Sequence, residues 1–178
     1  MMADHSLIRR VFADQHGTSG IEFALVFPVI LLLFMGAVTL FDGLRSYSKV
    51  VEANGIVSDM ISRQTTVNDS FLSNLYGIFS HLQADDEPRD ALRISSIITQ
   101  GGKQKVAWSK SYGASDLLQG QAFDTSNLPS IPEGDSLIYV EGMVEYQTIT
   151  QVLGYGTFLL KRPVSSRPRF ISAVGYSQ

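Results

Sequence analysis

The chain has 178 residues, with 14 Lys+Arg against 17 Asp+Glu, a formal net charge of −3 and no Cys. This composition excludes a disulfide framework, a thiolate zinc site and a Cys nucleophile. The mild acidic excess argues against a nucleic-acid-binding domain, and 44% hydrophobic with 17% charged residues argues against a disordered chain.

The apolar residues are unevenly spread. From Phe23 to Phe41 the chain reads FALVFPVILLLFMGAVTLF, 19 residues without charge, Asn, Gln or His. As a helix this run spans roughly 28 Å, close to the hydrocarbon thickness of a bilayer. A soluble core helix would interrupt it with polar residues every three or four positions. Pro28 lies early in the run, and bilayer helices tolerate Pro. No second run of this length occurs, so a single-pass protein is expected.

A secretory signal would have a shorter apolar core followed by a small-residue cleavage site. An uncleaved anchor is a second reading. The third is a leader cut before the apolar run, and the residues RRVFADQHG-TSGIEF favour it. Gly17 closes a polar leader carrying Arg9 and Arg10, four residues follow, and Glu22 stands at the edge of the run. A carboxylate there needs a partner, because ionised groups inside a bilayer helix are costly. Cleavage after Gly17 would create a cationic amine at Thr18. Glu22 of one subunit would then pair with the Thr18 amine of its neighbour. The flanking positive charges, Arg9 and Arg10 before and Arg45 and Lys49 after, are balanced and set no orientation.

The segment GTSGIEFALVFPVILLLFMGAVTLFDG resembles the TadE/TadF-like minor pseudopilins of the Tad (Flp, type IVc) pilus system. VEANGIVSDMISRQTTV with Asp59, Gln64 and Thr65, VAWSKS around Trp108, IYVEGMVEYQTIT and RPRF from Arg167 are similar to later segments of that family. The resemblance implies a prepilin peptidase cutting between Gly17 and Thr18, and assembly roles for Glu22 and Phe23. It implies as partners a major Flp pilin, a second TadE/F-like minor pilin, an inner-membrane assembly platform and membrane lipid, with no nucleic acid. It implies an inner-membrane protein with its C-terminal domain on the periplasmic side, no cofactor and no enzymatic activity. A permanently anchored periplasmic accessory module is the alternative function.

Downstream, the expected organisation is a leader over 1–17, a helix over 18–62 and an α+β domain over 63–178. Leu44, Tyr47, Val51, Asn54, Val57 and Ile61 recur at helical spacing. The region after about Met60 is expected to fold without the membrane helix. Asn68-Asp69-Ser70 offers a helix N-cap, and Phe71, Leu75, Ile78 and Leu82 make an apolar stripe ending at Asp85-Asp86-Glu87-Pro88. Leu92–Thr99, a Gly101-Gly102 turn and a return strand around Val106 and Trp108 read as a hairpin. Tyr112 to Glu133 reads as a long connection. Ser136–Thr150 is a strand with Ile138, Val140, Val144 and Tyr146 on one face. Gln151–Leu160 has no clear pattern, and Arg169–Tyr176 reads as a last strand. The expected class is α+β, a long membrane-spanning helix followed by a small pilin-like antiparallel sheet.

Catalytic patterns are absent. His5 and His16 lie in the leader, and His81 reads as a helix-end residue. Asp85, Asp86, Glu87 and Asp90 form an acidic cluster that fits no calcium loop. Lys161, Arg162, Arg167 and Arg169 form a basic stretch, and Trp108, Tyr139 and Tyr146 are read mainly as core.

Overall fold

The computed structural model describes residues 16–83, 89–118, 128–148 and 156–177. Helix α1 runs His16–Ser62, unbroken through Pro28. Two of its hydroxyls bond back to its own carbonyls: Thr39 Oγ1 donates to Met35 O and Ser48 Oγ to Leu44 O, both at 2.9 Å. An apolar run with no unmet side-chain donor suits a bilayer interior.

Contacts divide the chain into two units, one ending at Phe41 and the other running Asp42–Gln178. In the first unit no described residue is buried. The second unit holds the later half of α1 together with the rest of the fold. There Val50, Ala53, Asn54, Val57, Ser58 and Ile61 are buried at spacings of three and four, one stripe of a helix.

After α1 come β1 (Thr66–Val67) and helix α2 (Asp69–Gln83). Asn68 caps α2, its Oδ1 accepting from the Phe71 N–H at 2.9 Å. The buried stripe is Leu72, Leu75, Phe79 and Gln83, one residue on from the expected row except at the shared Leu75. Ile78 and Leu82 are exposed and Phe71 is half-buried.

Strands β2 (Asp90–Gln100) and β3 (Lys103–Gly113) form the expected hairpin. Gly101 and Gly102 both have positive φ, 61° and 71°, as a type I′ turn requires. Glu133 caps this turn by accepting both glycine N–H groups at 2.7 and 3.1 Å, which holds its carboxyl below the usual range. The short helix α3 (Ser115–Leu118) follows, then β4 (Ser136–Gln147) and β5 (Thr157–Ser166). The four strands make one antiparallel sheet in the order β3-β2-β4-β5. The class is α+β, as read from the sequence.

Two strand assignments change. The last strand is only β6 (Gly175–Tyr176), parallel to β1, while Arg169–Ala173 is a series of bends. The fourth strand of the main sheet is β5, which begins in the stretch without a clear pattern and runs on through Lys161 and Arg162 to Ser166. Pro163 sits in it and lacks an N–H, which an edge strand tolerates.

Helices α1 and α2 cover one sheet face, packing Val50, Val57, Leu72 and Phe79 against Leu92, Ile94, Ile138 and Val140. Gly142 lies where α1 and α2 meet the sheet. A Cβ there would fall 2.5 and 2.6 Å from the Phe79 ring, and closer still to Asn54 Oδ1. Gly142→Ala is therefore expected to destabilise the domain by about 1–3 kcal/mol through overpacking, read as a lower urea midpoint. Two polar latches fix the helix on β5: Asn54 Nδ2 donates to Arg162 O at 2.6 Å, and the Ser58 and Ser166 hydroxyls lie 2.7 Å apart.

Candidate functional site

The structure places Gly17, Thr18, Glu22 and Phe23 on the first two turns of α1. Glu22 follows Thr18 by one helical turn and is exposed. It is the only Asp, Glu, Lys or Arg between His16 and Phe41. Phe23 is 64% exposed and lies 5.3 Å, centroid to centroid, from Phe27. From Ile21 to Phe41 the Ile, Leu, Val and Phe side chains stand exposed, an arrangement that water strongly disfavours at this density. One helix among the described residues, Ser19–Ser62, is long and apolar enough to cross a membrane.

The other sequence candidates do not converge. His81 is exposed in the last turn of α2. Asp85, Asp86 and Glu87 lie outside the described residues, and Asp90 is buried, accepting from Tyr76 OH at 2.8 Å. Among the described residues no group of three or more His, Asp or Glu is placed to hold a metal. The basic stretch is dispersed over separate partners: Lys161 on Glu141 at 3.2 Å, Arg169 on Asp59 at 2.5 Å, and Arg167 on Ser130 O at 3.4 Å. The aromatic residues also separate. Trp108 Nε1 donates to Val174 O at 2.9 Å, Tyr139 packs with Ile97, Ile131 and Leu137, and Tyr146 OH donates to Asp42 at 2.6 Å.

Two phenols anchor the β3 side of the domain. The Tyr76 and Tyr112 rings stack with centroids 6.2 Å apart, and Tyr112 OH donates to Asp69 at 3.1 Å. Burial, then the bond to Asp90, pushes Tyr76 up to about 12, and burial, then the bond to Asp69, does the same for Tyr112. A phenol whose folded value lies above its unfolded value of roughly 10 stabilises fully below that pH. The contribution fades as pH rises through about 12. Phenolate absorbance during alkaline titration should therefore show two late tyrosines, and Tyr76→Phe with Tyr112→Phe should remove them.

A helix of this length, apolar and exposed in its first part and continuous with an α+β unit in its second, gives the described residues one candidate membrane span, near the N-terminus. Residues 17–53 match the family of TadE-like proteins. The match begins at Gly17, takes in Glu22 and the whole apolar run, and ends within the buried stripe of α1. The resemblance read from the sequence therefore holds over this segment. Neither the curated proteins nor the solved structures gave a match.

Proposed function

We propose that this chain is a non-enzymatic minor pseudopilin of a Tad (Flp, type IVc) pilus, anchored in the inner membrane by α1 with its α+β domain on the periplasmic side. A prepilin peptidase cuts between Gly17 and Thr18. The mature chain then initiates, primes or tips the fibre with a second TadE/F-like minor pilin, the major Flp pilin and the assembly platform. The family match over 17–53, which joins Gly17, Glu22 and an exposed apolar helix in one segment, carries this reading. The test is the N-terminal sequence of the protein from cells with an active peptidase. Thr18 as first residue is expected. An intact leader would instead favour the permanently anchored accessory module.

Glu22 is the assembly contact in this reading, its carboxylate pairing with the Thr18 amine that cleavage creates on a neighbouring subunit. Glu22→Ala should leave cleavage and protein level intact and abolish most piliation, the loss being about 3–5 kcal/mol for a buried pair deprived of one partner. Glu22→Asp should restore it partly. Normal piliation with Glu22→Ala would leave Glu22 as an interfacial residue, whose exposed pairs are worth about 0–1 kcal/mol.

A further inference from the structure

Asp42 is the first residue after the apolar run. In a membrane-spanning chain, the reading on which this inference rests, Asp42 lies at headgroup level. Strand β4 brings an aromatic residue to that point. Tyr146 OH donates to the Asp42 carboxylate at 2.6 Å, and its ring lies 3.8 Å from where a Gly43 Cβ would sit. The antiparallel partner of Tyr146 on β5 is Phe158, 52% exposed, followed by Leu159 at 42%. Leu44, two residues past Asp42, is exposed as well, and so is the cation Arg45.

These side chains form an amphipathic end rather than a core. The Phe158 ring faces solvent beside a phenol whose hydroxyl is held by the first polar residue of the chain's exit, Leu159 faces solvent on the other face of the same strand end, and Leu44 faces solvent on the helix. We infer that Phe158, Leu159, Leu44 and Tyr146 form an interfacial anchor that seats the β4–β5 end of the domain on the bilayer surface. Amphipathic aromatic residues favour this depth, where the ring meets acyl chains and the hydroxyl stays among polar groups. Apolar side chains gain by entering the headgroup–acyl boundary, and Arg45 is drawn to anionic headgroups. Lipid fits better than a second copy of the chain for two reasons. The patch is continuous with the chain's own exit from the apolar run. Four side chains also fall well short of the roughly 800 Å² per partner that a stable protein interface buries.

The chain has no Cys, so a single introduced Cys is its only thiol. The full chain is reconstituted in vesicles of phosphatidylethanolamine and phosphatidylglycerol with a fluorescent thiol probe at Thr157→Cys, Val106→Cys or Leu33→Cys. Quenching by brominated lipid reads the depth of each probe. Strong quenching is expected at 33, intermediate quenching at 157 and none at 106, which is exposed on the opposite edge strand. Adding Phe158→Ser and Leu159→Ser should lower the quenching at 157 several-fold and leave 33 unchanged. A probe at 33 without quenching overturns the spanning reading. Quenching at 33 with 157 as unquenched as 106 overturns the anchor alone. Disulfide pairing between unlabelled copies through Cys at 157, where the labelled copies show no lipid quenching, also overturns it in favour of a protein contact.

Discussion

Glu141→Ala is expected to destabilise the domain by about 3–5 kcal/mol, a large share of the roughly 5–15 kcal/mol that holds a typical domain folded. Glu141 points to the sheet face opposite the helices and is only 1% exposed. Its carboxylate lies 2.5 Å from Arg93 on β2 and 3.2 Å from Lys161 on β5, so one anion ties three adjacent strands. Arg93 is 12% and Lys161 26% exposed, so removing Glu141 strands mainly Arg93, while Lys161 can reach water. A urea melt of the detergent-solubilised chain reads the loss. The companion variant carries Arg93→Leu, Glu141→Leu and Lys161→Met together. It should recover much of the stability, since apolar groups of similar size often replace a buried ion pair at no loss. A Glu141→Ala midpoint equal to that of the parent chain would mean that water reaches the triad.

That triad was hidden in the sequence for a definite reason. Along β4, the polarity of Leu137, Tyr139, Glu141, Met143 and Glu145 alternates with nothing, because the partners that neutralise Glu141 come from strands 48 residues earlier and 20 later. Local features fared differently. The apolar run, the Asn68 cap and the Gly-Gly turn each depend on neighbouring residues, and each is where the pattern put it. On α2, Phe71, Ile78 and Leu82 form one apolar row and Leu72 and Phe79 another. Both satisfy helical spacing, and only packing against the sheet selects the second. Strand β5 lacks alternation and contains Pro163, so its strand character comes from pairing with β4. Of the candidate site, the Gly17 to Glu22 spacing is written in the chain itself. The Tyr146–Asp42 contact joins residues 104 positions apart and has no local signal.

Starting the chain at Arg63 should prevent folding, whereas starting it at Asp42 should preserve it. The sequence pattern suggests that the sheet and α2 suffice, since roughly 115 residues exceed the size at which small domains need staples. The structure places the later half of α1 inside the core instead. Val50, Ala53, Val57 and Ile61 are fully buried, in one cluster with Leu72, Phe79, Ile94 and Val140. Burying a Val or Ile side chain is worth about 1.5–3 kcal/mol, so losing Val50, Val57 and Ile61 removes about 5–9 kcal/mol. That loss matches the whole stability of many domains, before the bare sheet face left behind is considered. The Asn54 and Ser58 latches to β5 go with it, and so does the bond from Arg169 N to Ser62 O at 2.9 Å that fixes the C-terminal bends. A chain starting at Asp42 keeps all of these and omits only the exposed apolar run. Circular dichroism in urea should show a cooperative transition for the Asp42 start and a shallow, non-cooperative one for the Arg63 start. Equal transitions in the two would mean that the sheet and α2 hold the domain without α1, and that the helix merely rests on them.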